Sequence, residues 1–86
     1  MADKIKQVTD VLDMLAEDTS IPRNIRKGAT DAVALLQDNK KAMDLRISSA
    51  INILADLSND PNIPMESWSA IMQILSDLEI MLKDIA

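Results

Sequence analysis

The sequence predicts an all-α protein, a four-helix up-down-up-down bundle forming one domain over residues 1–86. Three observations carry this expectation. Apolar residues recur at alternating steps of three and four in four separate stretches, the seam of a bundle helix. No segment alternates apolar and polar residues with period two, and the 86 residues include a single glycine. The stretches are joined by short segments rich in Asp, Asn, Ser and Pro, so consecutive helices become antiparallel neighbours.

The first helix is expected over about 4–17, with Ile5, Val8, Leu12 and Leu15 on its apolar seam. Asp18-Thr19-Ser20-Ile21-Pro22 ends it and opens the second. Ser20 suits an N-cap, and Pro22 suits a first turn, where its missing N–H costs nothing. The second helix is expected over about 21–37, with Ile25, Ala29, Ala32 and Leu36 on its seam. Gly28 falls inside it. A glycine there costs about 1 kcal/mol, so it implies close approach of another helix, or else a kink.

Gln37-Asp38-Asn39 separates the second and third helices, with Asp38 or Asn39 as the cap. The third is expected over about 40–58, with Ile47, Ala50, Leu54 and Leu57. In Ser58-Asn59-Asp60-Pro61-Asn62-Ile63-Pro64, Asn62 and Pro64 take the parts of Ser20 and Pro22. The fourth helix is expected over about 63–85. Its seam reads Trp68, Ile71, Leu75, Leu78, Leu82 and Ile85, with Trp68 as a core anchor.

A shift of 42 residues partly overlays the chain on itself. Ile5 meets Ile47, Leu12 meets Leu54, Asp18 meets Asp60, Pro22 meets Pro64 and Leu36 meets Leu78. The matches fit either a duplicated helical hairpin or the likeness shared by any two amphipathic hairpins. The period is in the range of HEAT-type repeats. Two repeats are too few for a solenoid, so a closed bundle is expected.

Apolar residues outnumber the seams. Met14, Ile51, Ile53, Met72, Ile74 and Met81 stand outside them. They either widen the core face or leave an exposed remainder suited to self-association or a partner groove.

Composition excludes several kinds of chemistry. The chain has no His, Cys or Tyr and one aromatic residue, Trp68. No side chain titrates near neutrality unperturbed, and no Cys–His or Ser–His nucleophile can be built. One glycine cannot make a phosphate-cradling loop. No catalytic, cofactor-binding or metal-ligating residue is expected, and the protein is read as no enzyme. Asp56, Ser58, Asp60 and Asn62 have the spacing of a calcium loop. However, Pro61 stands where that loop needs glycine and Ser67 where it needs glutamate. A polar turn is the expectation. No signal peptide or membrane span is expected either.

Charge is uneven. The net charge is −5, yet residues 21–41 hold five Lys/Arg against two Asp, while residues 1–20 and 65–86 each carry −3. Arg23, Arg26 and Lys27, with Asn24 nearby, gather at the start of the second helix. There the backbone dipole opposes cations by a few tenths of a kcal/mol each, up to about 1. Two readings account for them. Asp13, Glu17 and Asp18 at the end of the first helix can pair with them, each exposed pair contributing roughly 0–1 kcal/mol. Alternatively they bind a carboxylate, a phosphate or an acidic partner.

The combination of Ile21-Pro22-Arg23-Asn24-Ile25-Arg26, Ala50-Ile51-Asn52-Ile53-Leu54, Asn59-Asp60-Pro61-Asn62-Ile63-Pro64 and Leu75-Ser76-Asp77-Leu78-Glu79 resembles Uncharacterised Protein Family 0147. The resemblance covers most of the chain. It implies a compact, all-helical, archaeal cytosolic protein, and it implies no activity.

The function expected from the residues is a non-catalytic protein-binding or scaffolding module, cytoplasmic and without cofactors. Its partner is another protein or a second copy, with Arg23, Asn24, Arg26 and Lys27 as the candidate contact residues. The alternative is an RNA- or ribosome-associated accessory protein using that basic edge with Lys40 and Lys41, although net charge disfavours nucleic acid. The third reading is a carrier of a small apolar ligand in a Met- and Leu-lined cavity.

Overall fold

Apolar seams on four short segments have one economical way to leave water, and the chain takes it. The computed structural model describes residues 2–85; Met1 and Ala86, both inside the expected 1–86 domain, lie outside the described residues. The helices are α1 Ala2–Glu17, α2 Arg23–Leu36, α3 Met43–Ser58 and α4 Met65–Ile85. Each packs beside the next in chain order, and α1 and α4 meet least closely. The result is the expected all-α, up-down-up-down arrangement, about 34 × 20 × 19 Å in extent. α2, α3 and α4 start two or three residues later than expected because the connections are longer.

Those connections share one design. The carboxylates of Asp18, Asp38 and Asp60 accept the backbone N–H two residues on, from Ser20 (3.0 Å), Lys40 (3.1 Å) and Asn62 (2.8 Å). Each Asp carbonyl accepts the next N–H, from Ile21, Lys41 and Ile63. The residue four places after each Asp, namely Pro22, Ala42 or Pro64, then offers its carbonyl to the new helix, to Arg26, Arg46 and Trp68 N–H. An Asp side chain bonding forward to its own backbone is a turn former, and here it turns the chain three times.

This corrects the capping expectation. Ser20 does not cap α2: its hydroxyl donates to Asp18 Oδ1 at 2.6 Å. Pro22 itself is the N-cap, extended at φ −53° and ψ 145°, without a side-chain cap. Neither Asp38 nor Asn39 caps α3; Ala42 holds that place at φ −62° and ψ 147°. The Asp side chains are already engaged with the turn.

The core consists of the expected seams for three helices. Val8 and Leu12, Ile25, Ala29, Ala32 and Leu36, and Ile47, Ala50 and Leu54 are buried, with Ile5 at its margin. Leu15 and Leu57 pack half-buried at the edge. Positions related by the 42-residue shift occupy matching places: Leu12 and Leu54 are fully buried, as are Leu36 and Leu78.

In α4 the seam is displaced by one residue. Ser67, Ile71, Ile74, Leu78 and Met81 form the buried stripe, with Leu75 beside it. Trp68 is therefore no core anchor; it is 40% exposed. The indole is the most apolar group at the start of α4, but the small Ser67 faces the close-packed interior there. Ile74 and Met81, outside the expected seam, belong to the core, and Ile51 and Ile53 pack half-buried against it.

Gly28 reports a close helix approach. A Cβ built on it would lie 2.5 Å from Leu57 Cδ1, 2.7 Å from Cδ2 and 2.9 Å from Cγ. The side chain of α3 occupies the space that any other residue on α2 would fill.

Three measurements test these points. In Gly28→Ala, overpacking against Leu57 of about 1–3 kcal/mol outweighs the helix-propensity gain of about 1 kcal/mol, so denaturant unfolding is to show a net loss. In the Leu57→Ala background the sign reverses, and Gly28→Ala stabilises. Ala42→Pro is expected to stabilise by about 0.4–1 kcal/mol, because φ already suits proline and the Ala42 N–H makes no hydrogen bond among the described residues. Asp18 lies below its ordinary pKa of 3.8, held there first by the Ser20 hydroxyl and N–H and then by Arg26, against some desolvation. A depressed carboxylate stabilises fully above its unfolded value and loses that contribution as pH falls through the folded one. The melting-temperature advantage over Asp18→Asn at about pH 6 is thus to narrow by about pH 2.5.

Candidate functional site

The basic cluster at the start of α2 does not form a single free patch. Arg26 is half-buried and donates Nε–H to the Ile21 carbonyl at 2.9 Å, bracing the turn before its own helix. Asn24 donates Nδ2–H to Asp60, tying the start of α2 to the α3–α4 connection. Lys27 pairs with Asp31 on its own helix at 3.1 Å, both exposed, a contribution of roughly 0–1 kcal/mol. The expected pairs with Asp13, Glu17 and Asp18 are not formed within 4.0 Å. Arg26 acts on Asp18 only through its field. Arg23 alone among the four is exposed with no hydrogen-bond or ion-pair partner among the described residues.

Arg46 has a comparable place that the sequence reading missed. It sits four residues after Ala42, as Arg26 sits four after Pro22, and its guanidinium donates to the Leu36 carbonyl at the end of α2. A cation at a helix C-terminus meets the favourable end of the dipole. Its Nε is buried without a partner. The repeat of the turn, Asp38 to Ala42, was the available signal. It was obscured because Ala42 replaces the proline that marks the other two turns.

The structure assembles a different surface. Along the seam where α1 and α4 meet least closely, three recesses follow one another. The first, of about 180 Å³, is lined by Lys4, Asp77, Ile80, Met81 and Asp84. The second, about 210 Å³, lies between Gln7, Val8 and Val11 of α1 and Ala70, Gln73, Ile74 and Asp77 of α4. The third, about 380 Å³, includes Met14, Leu15, Ile21, Met65 and Ser67. Neighbouring recesses share lining residues, Asp77 between the first two and Val11 and Ala70 between the next, so together they form one groove.

The floor of the groove is core: Val8, Ile21, Ile74 and Met81 reach it from below. Its walls expose Val11, Met14, Met65 and Ile80, with Met14 71% and Ile80 58% accessible. Four carboxylates, Asp18, Glu66, Asp77 and Asp84, stand along it, against one cation, Lys4. The two acidic segments of the sequence, 1–20 and 65–86, are the ones that flank it, while the basic segment lies on α2 and its following turn. A shallow recess at Ile63, Met65 and Trp68 continues around the start of α4. Trp68 is two residues from Ala70, hence about 200° around the helix, and stands off the groove wall.

Of the groove residues, sequence reasoning singled out Met14, Ile74 and Met81 as surplus. Val11, Met65 and Ile80 went unremarked as surface residues. No helix among the described residues is long and apolar enough to cross a membrane. No cluster of three His, Cys, Asp or Glu among them is arranged to hold a metal ion. Asp60, in the calcium-like spacing, accepts the Asn62 N–H and the Asn24 amide, which is the polar-turn reading.

Comparison with known proteins gives the relationships. The model of an uncharacterised protein family, UPF0147, matches residues 1–81. A UPF0147 protein of Sulfurisphaera tokodaii is 45% identical over 76 residues, covering 88% of this chain and 85% of the relative. A UPF0147 protein of Methanosarcina acetivorans is 40% identical over 78 residues, covering 91% and 80%. Two crystal structures share the fold. The protein of unknown function MMP1188 is 40% identical with a TM-score of 0.87, covering 91% of this chain and 89% of the other. A protein from family UPF0147 of Thermoplasma acidophilum is 32% identical with a TM-score of 0.88, covering 93% and 94%. With the family model matching residues 1–81 and archaeal relatives aligned over most of its length, this chain belongs to the uncharacterised protein family UPF0147.

Proposed function

We propose that this protein is a non-catalytic, cytoplasmic binding module that receives a protein partner along the α1/α4 groove. The supporting observation is the groove itself: exposed Val11, Met14 and Met65 cluster in one recess over core residues, and exposed Ile80 lines the recess at the other end. Exposed apolar residues scattered singly need no explanation, whereas a contiguous apolar strip with a polar rim marks an interaction site. Met14 and Met65 suit such a surface because an unbranched thioether adapts to its partner.

The groove is favoured over the start of α2 for a physical reason. Arg26, Asn24 and Lys27 already have intramolecular partners, and binding through them would have to displace those. The exposed apolar groove residues give up only water, and of the groove's carboxylates Asp18 and Asp77 already accept from Ser20 and Gln73. The RNA reading needs a continuous run of free cations, and Arg23 stands at the opposite end of α2 from Lys40 and Lys41, roughly 20 Å away. A ligand carrier needs a recess that encloses its cargo, whereas these recesses form an open trough.

Affinity capture from native cell extract, with nuclease present, tests the reading by comparing variants. Val11→Ser/Ile80→Ser is expected to lose specific protein partners that the parent chain retains, while Arg23→Ala retains them. Circular dichroism first verifies that each variant is folded. Partners lost with Arg23→Ala and kept by the groove variant would place the site on α2 instead.

A further inference from the structure

We infer that the occupant of the α1/α4 groove is a basic amphipathic α-helix of another protein, about five turns long. This rests on the binding reading above and adds the chemistry of the partner.

Charge comes first. The groove carries Asp18, Glu66, Asp77 and Asp84 against Lys4. Off the recesses, the exposed Asp3, Asp10, Asp13 and Glu17 of α1 and Glu79 of α4 stand against Lys6 and Lys83, and Asp10 is paired with Lys6 at 2.9 Å, so the two helices remain acidic as a whole. An apolar stripe flanked by Lys or Arg complements this field, which steers encounter and excludes acidic competitors. Nucleic acid is repelled by the same carboxylates.

A second copy fits less well, on two grounds. Groove against groove sets carboxylates against carboxylates. The basic helix of a second copy, α2, exposes no large apolar residue, so it has nothing to fill the recesses. An extended peptide also fits poorly. Among the described residues there is no sheet edge to satisfy its backbone, whereas a helix satisfies its own and presents only side chains.

Length and spacing follow from the fold. From Met65 to Asp84 the α4 wall rises about 28 Å, matched by a partner helix of about 18–20 residues. The three recesses centre near residues 67, 73–74 and 80 of α4. Steps of about seven residues, roughly 10 Å, are two helical turns. The partner therefore presents Leu-, Ile- or Met-sized anchors at i, i+7 and i+14, with cations on either side of that stripe.

The test uses synthetic 20-residue probes and fluorescence anisotropy with the full chain at low salt. One peptide carries Leu at i, i+3, i+7, i+10 and i+14 with Lys around them. A second replaces every Lys by Glu, and a third scrambles the Leu positions. The Lys amphipath is expected to bind at least about tenfold more tightly than either control. Asp77→Lys/Asp84→Lys is expected to weaken it about tenfold at low salt, less at high salt. Val11→Ser/Ile80→Ser is to weaken it about tenfold at any salt.

Equal binding of the Lys and Glu peptides, both weakened by Val11→Ser/Ile80→Ser, would overturn the charge assignment and leave the groove reading standing. Binding indifferent to Val11→Ser/Ile80→Ser would overturn the site. Failure of every peptide to bind would overturn the basic-helix inference, while the groove reading stands or falls on the capture experiment. Direct binding of a labelled 20-nucleotide RNA to the chain, tighter than the Lys peptide and lost in Val11→Ser/Ile80→Ser, would move the partner to nucleic acid and overturn the inference.

Discussion

Each step from one helix to the next is made by the same short device: an Asp carboxylate bonds forward to the backbone, and an extended residue four places on hands its carbonyl to the new helix. The device sets helix separation and direction three times over. The α1–α2, α2–α3 and α3–α4 contacts are therefore constrained by covalent connection as well as by packing. The fourth side has no such connection. α1 and α4 face each other through side chains of the core such as Val8 and Ile74, which line the same recess. The side without a turn is the side with a groove.

Charge is arranged around the same asymmetry. Three of the cations after residue 20 are drawn into local tasks on α2, α3 and their turns. Arg26 and Arg46 fold back onto carbonyls, and Lys27 takes Asp31. These contacts answer why cations tolerate the unfavourable end of a helix dipole, since the dipole opposes each by less than about 1 kcal/mol and a hydrogen bond from a charged donor exceeds that. The acids of α1 and α4 have fewer such tasks and line the open side. The molecule thus exposes an apolar, acidic trough on one side and a polar basic helix away from it.

Gly28 and Leu57 mark how tightly the connected sides are closed. Where α2 and α3 approach, a single Cβ is excluded. Along α1 and α4, recesses of up to about 380 Å³ remain between neighbours. The same chain therefore contains a pair of helices where the Leu57 side chain fills the space beside Gly28 and a pair left partly apart. The first pair anchors the fold, and the second provides the surface on which the proposed binding depends.

The sequence by itself determined the fold class, the order of the four helices, most of the core and the family. Periodicity alone places Leu12, Ile25, Leu36, Ile47 and Leu54 inside, because a helix has only one face to bury and these residues share it. It also carried the charge segregation, since counting needs no geometry. Tertiary structure decided the rest. Trp68 and Ser67 exchange roles because hydrophobicity ranks residues without knowing how much room the interior leaves at that point. Ser20 loses its cap to Asp18 because two polar side chains compete for one turn, and only the backbone path chooses. Val11, Met14 and Ile80 are ordinary apolar residues on two separate segments. They become a surface only when α1 and α4 are brought side by side, and no pattern within either helix carries that information.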